Sequence, residues 1–282
     1  MCFHEVLVAN KMLTRISPEG VSQVSVRTRN ESDIESEKIR YLVLKNLLGT
    51  TGRFRLGFAW IILEPMLVAL IYVFLFSVIK SNITGELIII GIGTYGVFSS
   101  SFKAGMSGIS DTNGGFTAER VRTSVLIKSQ LLYSSIEGSI RAISMLALLF
   151  ALMDINFPAS LIFIPICALL SILSRAIGFN LVLITINSPD IRQVIDFAIR
   201  LLFFISPVLY PYSSTVGTHR EFNDLNPLTY FIEISRYYCG SVEQQILPEG
   251  PINILVITIF LLLGFRGIWK LDSYRWRVST WN

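Results

Sequence analysis

The chain has 282 residues, 52% of them hydrophobic and only 16% charged, with a mean hydropathy of +0.58. That composition excludes both an ordinary soluble domain and a disordered chain, and points to a polytopic membrane protein. The net charge of +4 is no nucleic-acid signature, because the basic residues fall in short blocks at the ends of apolar runs instead of along one stripe.

In chain order, residues 1–32 read as a cytoplasmic N-terminal tail, polar and rich in Ser and Val, poorly ordered or packed at an edge. They hold no run of apolar residues followed by a small-residue cleavage site, so no removable signal peptide is expected. Ser32-Asp33-Ile34-Glu35 has the spacing of a capping box, in which each side chain satisfies an orphan amide at a helix start. An amphipathic helix over 33–49 follows. Ile39, Val43 and Leu47 share one face, with Tyr41 and Leu42 off it, while Lys38, Arg40 and Lys45 suit an anionic headgroup layer. Gly49 and Gly52 then end it.

The run from Phe58 to Ile79 has Glu64 as its only charge. As a helix it reaches roughly 33 Å, enough to cross a hydrocarbon core of about 30 Å. Arg53 and Arg55 precede it, Trp60 sits at headgroup depth, and Pro65 is expected to kink it. Five further apolar segments follow, about Leu87 to Ile109, Leu131 to Leu152, Ser160 to Ile186, Val194 to Tyr212 and Ile252 to Trp269, giving six spans within 56–271. Basic residues favour the loop from Asp111 to Gln130 and the tail 272–282, which places both termini in the cytoplasm. Ser213 to Pro251 is then external and acidic; within it Asn226-Pro227 opens a short helix whose Leu228, Phe231, Ile232 and Tyr238 dip into the outer leaflet.

Charges inside spans are the candidates for function, since an unpaired one costs at least about 2.5 kcal/mol. Glu137 and Arg141 stand four apart, as do Asp196 and Arg200. Each pair either neutralises itself along one helix face or lines a polar path. Arg175 has no partner at helical spacing and must reach another helix, water or another subunit. Glu64 lies where a basic residue near the cytoplasmic interface can meet it, and Lys103 can snorkel.

Chemistry of its own is hard to find. The two histidines, His4 and His219, fall on opposite sides of the membrane, and no Gly-x-x-x-x-Gly-Lys-Ser/Thr loop is present to cradle ATP. Cys2, Cys167 and Cys239 make neither a disulfide framework nor a metal motif. Asp111, Glu119 and Asp190 are isolated carboxylates in cytoplasmic loops, the only footing for a metal-dependent membrane glycosyltransferase. No metal site or resident cofactor is expected.

Three stretches carry a resemblance. Leu56-Gly57-Phe58-Ala59-Trp60 with Glu64-Pro65, the block from Phe203 through Ser206-Pro207 to Tyr210-Pro211, and Asn226-Pro227-Leu228-Thr229 with Arg236 are similar to the permease subunits of type-2 ABC exporters, in particular the branch exporting O-antigen, capsular polysaccharide and teichoic acid. The resemblance covers roughly 35 to 275. It departs at Ser129 to Ser135, where family members often carry a basic, Pro-containing segment.

The resemblance implies an all-α membrane protein that is no enzyme itself. Two copies would form the pore as a homodimer, and two copies of a separate ATPase, holding ATP and Mg, would drive it. The substrate would be a glycan on a lipid carrier, taken from the cytoplasmic side of a prokaryotic inner membrane; no nucleic acid is involved. The helix from Asp33 to Leu48, with Lys38 and Arg40, corresponds to a gate helix, and the loop with Asp111, Thr117, Glu119, Arg120 and Arg122 to the ATPase-coupling region. Trp60, Phe203, Phe204, Tyr210, Tyr212 and Arg175 become candidates for the translocation path, because aromatic faces stack on sugar C–H bonds without gripping them. For each aromatic singly, a headgroup belt or the core is the plainer reading. A type-2 ABC permease for a drug or lipid, and the glycosyltransferase, remain the alternatives.

Overall fold

The computed structural model describes residues 12–17, 20–25, 31–51, 59–79, 84–107, 122–152, 157–240 and 251–273. In the N-terminal tail, strands β1 (Met12–Ser17) and β2 (Gly20–Ser25) pair antiparallel, from Met12 opposite Ser25 to Ser17 opposite Gly20. β-branched Thr14, Ile16, Val21 and Val24 favour that extended backbone, so this part of the tail has an element that its polarity did not announce.

The remaining described elements are helices and turns. Helix α1 (Glu31–Thr51) starts one residue before Ser32, which puts the Ser-x-x-Glu spacing inside the first turn; the Ser36 hydroxyl donates to the Asp33 carbonyl at 2.8 Å. Leu42 and Val43 are buried and Ile39 and Leu47 half-buried, while Tyr41, Leu44 and Leu48 are exposed. The inward face is thus shifted by a residue from the expected one to include Leu42, and a second apolar strip looks outward.

Among the described residues, five helices are long and apolar enough to cross a membrane. They are α2 (Ala59–Val78), α3 (Gly85–Ser107), α4 (Thr123–Leu152), a composite over Pro158–Thr185, and α11 (Pro251–Ser273). The composite joins α5 (Phe157–Ser160), α6 (Phe163–Gly178), a 3-10 turn and α7 (Val182–Asn187). The sixth expected segment, Val194 to Tyr212, differs. Its helix α8 (Pro189–Ile205) begins earlier, at a proline whose missing amide costs nothing in a first turn, and stops at Ser206. Pro207 forces that stop by holding the preceding residue extended (φ −70°, ψ 152°). Residues 206–211 form turns, followed by α9 (Thr218–Asp224) and α10 (Pro227–Tyr238).

Helix α6 is the hub. Gly138 of α4, Gly105 of α3 and Gly267 of α11 each bring backbone against it: a Cβ added there would lie 2.9 Å from the Cys167 carbonyl oxygen, 2.3 Å from that of Arg175 and 1.9 Å from that of Ala176. Three serines tie the same helices together. The Ser171 hydroxyl lies 2.7 Å from that of Ser101 and 2.6 Å from that of Ser134, and Ser134 also donates to the Ser171 carbonyl at 2.9 Å. Lipid tails are as apolar as leucine, so helices in a bilayer associate through such small-residue packing and hydrogen bonds. α2 and α11, by contrast, turn Leu67, Ile71, Phe74, Ile254, Leu262 and Phe265 outward.

Candidate translocation path and charge network

Four side chains on α2, α4 and α6 form a line of alternating charge. Arg141 meets Glu137 at 3.2 Å along α4, Arg175 of α6 reaches the other oxygen of Glu137 at 3.4 Å, and Arg141 lies 3.9 Å from Glu64 of α2. The Arg175 guanidinium also stands 5.3 Å from the centre of the Tyr133 ring. The Glu137–Arg141 spacing therefore pairs as the sequence suggests, and Arg175 takes the first of its options, another helix. Glu137, Arg141 and Arg175 are 5 to 13% exposed, whereas Glu64 is 65% exposed. The line runs from the inside of the helix bundle to its α2 surface.

The second expected pair does not form. Asp196 lies 3.5 Å from Lys103 of α3, an ion pair by proximity without hydrogen-bond geometry, and not against Arg200. One contact thereby settles charges on two helices at once. It also holds Lys103, which was expected to snorkel. Arg200 is exposed and has no hydrogen-bond or ion-pair partner among the described residues.

On the other side of the bundle Arg236 of α10 is fully buried. It donates to Glu233 at 2.6 Å, to the carbonyls of Tyr210 at 3.1 Å and Val208 at 2.8 Å, and to that of Leu87 at the start of α3 at 3.1 Å. Burial lowers its hold on the proton, and the Glu233 carboxylate opposes that shift. Glu233 also accepts from the Tyr212 amide at 3.2 Å. Asn226 caps α10, accepting from the Leu228 amide at 3.1 Å and donating to the Ser206 hydroxyl at 2.7 Å. Burial, with Asp224 second, pushes the Tyr230 phenol up to about 12, so it stays protonated and donates to the Asp224 carbonyl at 2.8 Å. Arg236 and Asn226 thus clasp the turn after α8 between α3 and α10. Sequence reasoning singled out Asn226 and Arg236 by resemblance alone and missed this role, since the groups that receive Arg236 are mostly backbone carbonyls.

The path candidates fall in three groups. Trp60 and Phe204 are exposed on α2 and α8. Phe203 is half-buried against Tyr72, Tyr95 and Phe204, with ring centroids 5.6, 5.1 and 5.2 Å away. Tyr210, also half-buried, donates to the Ile205 carbonyl at 2.5 Å and meets His219 at 2.8 Å. Tyr212 and Arg175 are inside the protomer; the Tyr212 hydroxyl donates to Asp224 and Arg220 covers its ring at 5.3 Å. An apolar cavity of about 350 Å³ lies between α3, α8, α9 and α11, lined in part by Phe98, Phe102, Leu202, Phe222 and Phe260.

Of the coupling candidates, Lys38 and Arg40 are exposed on α1. Arg122, just before α4, pairs with Glu35 of α1 at 3.0 Å. Asp111, Thr117, Glu119 and Arg120 lie outside the described residues. Asp190 sits in the first turn of α8.

Residues 37–239 match the family model for the ABC-2 type transporter membrane domain. Among curated proteins the chain is similar to a polysialic acid transport protein of Escherichia coli, KpsM, 25% identical over 84% of this chain and 95% of the relative. It is also similar to the O-antigen export system permease RfbA of Myxococcus xanthus, 30% identical over 76% of this chain and 84% of the relative. A third relative is the capsule polysaccharide export inner-membrane protein CtrC of Neisseria meningitidis, 23% identical over 82% and 89%. The family match runs from within α1 through α10, charge network and clasp included, and the chain belongs to the ABC-2 type transporter family.

Proposed function

We propose that this chain is the membrane subunit of an ATP-driven exporter that carries a lipid-linked polysaccharide, of O-antigen, capsule or teichoic-acid type, from the cytoplasmic side across the inner membrane. The observation that carries it is the similarity, over three quarters or more of the chain, to relatives named for polysialic acid, O-antigen and capsule export. Two copies assemble around the path, with both termini cytoplasmic and α8 together with the turns after it completing a sixth crossing. A separate pair of ATPase chains binds ATP and Mg and supplies the work.

Force enters through α1 and the segment from Asp111 to Lys128. The Glu35–Arg122 pair supports this reading, because it ties α1 to the foot of α4. Trp60 and Phe204 offer ring faces to the moving glycan, Phe203 and Tyr210 hold Phe204 in place, and Arg175 and Tyr212 brace the wall from behind. The test is co-purification with the co-expressed ATPase and crosslinking from cysteine placed at Thr117 or Ser124. Hydrolysis should need both chains, and at least one position should crosslink. ATP hydrolysis or sugar transfer by the purified chain alone, or export without any crosslink, would refute the assignment.

A further inference from the structure

We infer that Arg200 binds an anionic oxygen group, phosphate or carboxylate, on the translocated molecule; the inference rests on the exporter reading above. α8 has two unlike faces. Ile195, Ile199 and Leu202 pack into the core, while Phe197, Arg200 and Phe204 are exposed at i, i+3 and i+7, one stripe along the helix. Arg200 stands eleven residues into α8, roughly 16 Å along its axis, and Ile205 ends the helix soon after. A guanidinium there is too far from the helix's N-terminal end for its side chain to reach the interface on that side, and hydrocarbon is no solvent for it.

Its natural intrahelical partner is taken: Asp196 stands beside Lys103 at 3.5 Å. The stripe therefore faces either water and cargo or a second copy. Around a two-fold axis normal to the membrane, equivalent helices run parallel at equal depth, so an Arg200 that faces the axis would approach its own copy. Like charges facing across a gap repel unless an anion sits between them. An arginine fork donates two parallel hydrogen bonds to a phosphate or carboxylate, and Phe197 and Phe204, one turn to either side, offer ring faces to the adjoining sugar or lipid. The cargo can supply the anion from its lipid-carrier diphosphate or from acidic sugars. The site is the same in either case.

The experiment uses the complete complex with its ATPase in lipid nanodiscs and measures the half-saturating concentration for stimulated ATP hydrolysis. Three probes are compared: a polyprenyl diphosphate bearing a neutral disaccharide, a soluble oligosaccharide bearing carboxylates, and a neutral oligosaccharide of equal length. R200Q should raise half-saturation about tenfold, the scale of one charge-assisted contact, for whichever anionic probe carries the recognised group, and leave the neutral one unchanged. R200K, a point charge without the fork, should fall between. If R200Q does not assemble, R200K decides: no rise for either anionic probe overturns the inference. So does an unchanged R200Q. Recovery of R200E by E64R would assign Arg200 to a contact between copies and likewise overturn it. If no probe stimulates the wild-type complex, the exporter reading fails and this inference falls with it.

Discussion

Gly91 shows how little room the outer clasp leaves. An added Cβ would lie 2.0 Å from the Val208 carbonyl oxygen and 2.8 Å from an Arg236 nitrogen, the first of them backbone that cannot rotate away. Gly91→Ala should therefore destabilise on the order of 3 kcal/mol, at the upper end of overpacking costs, and lower the melting temperature of the detergent-solubilised protein. Gly96, one turn and a half along the same helix, meets nothing within 4 Å. Gly96→Ala should be neutral or stabilise by up to about 1 kcal/mol through helix propensity. Equal melting of the two variants would show that the turn after α8 yields.

At the scale of elements, the tie between α1 and α4 is exposed, with the Arg122 and Glu35 side chains 66% and 28% accessible. Such a pair contributes at most about 1 kcal/mol after solvent screening. Arg122→Glu should accordingly leave thermal stability almost unchanged while reducing export per ATP hydrolysed, and the swap with Glu35→Arg should restore it. A variant with normal coupling would remove the pair from the force route. How far the elements could be read from sequence follows from the range of the interactions that set them. α2, α3, α4 and α11 are long, predominantly apolar runs, and Glu137–Arg141 is a four-residue spacing, so both are visible along the chain. Asp196 chose Lys103 across a helix boundary, and the turn after α8 is held by an arginine reaching carbonyls on other elements. Neither leaves a periodic mark. The Leu42 side of α1 was misplaced for the same reason: the face a short helix buries is set by what it lies on.

For the molecule as a whole, the exporter reading fixes an inside and an outside. Membrane-impermeant thiol reagent applied to intact cells should label cysteine placed at Thr218 and spare cysteine placed at Thr117; the opposite pattern would invert the map. Structurally, the protein divides into a tightly knit centre, α3, α4 and α6, and outer helices, α2, α8 and α11, that keep broad outward faces. Motion during transport belongs to the second group, because the centre's contacts are backbone against glycine and have one geometry only.

The hub also dictates an order of biosynthesis. α6 follows α3 and α4 from the ribosome, so those two wait in the bilayer with the hydroxyls of Ser101 and Ser134 and the flat sides of Gly105 and Gly138 uncovered. Glu137 can meanwhile pair with Arg141 on its own helix, which lets α4 enter lipid before Arg175 has been made. A nascent chain ending after Leu152 should therefore insert yet be cleared rapidly by membrane proteases, and one ending after Asn187, with α6 now packed on α3 and α4, should persist several times longer in a pulse-chase. Similar lifetimes would mean that the quality-control step lies later, at α11 or at the meeting of two copies.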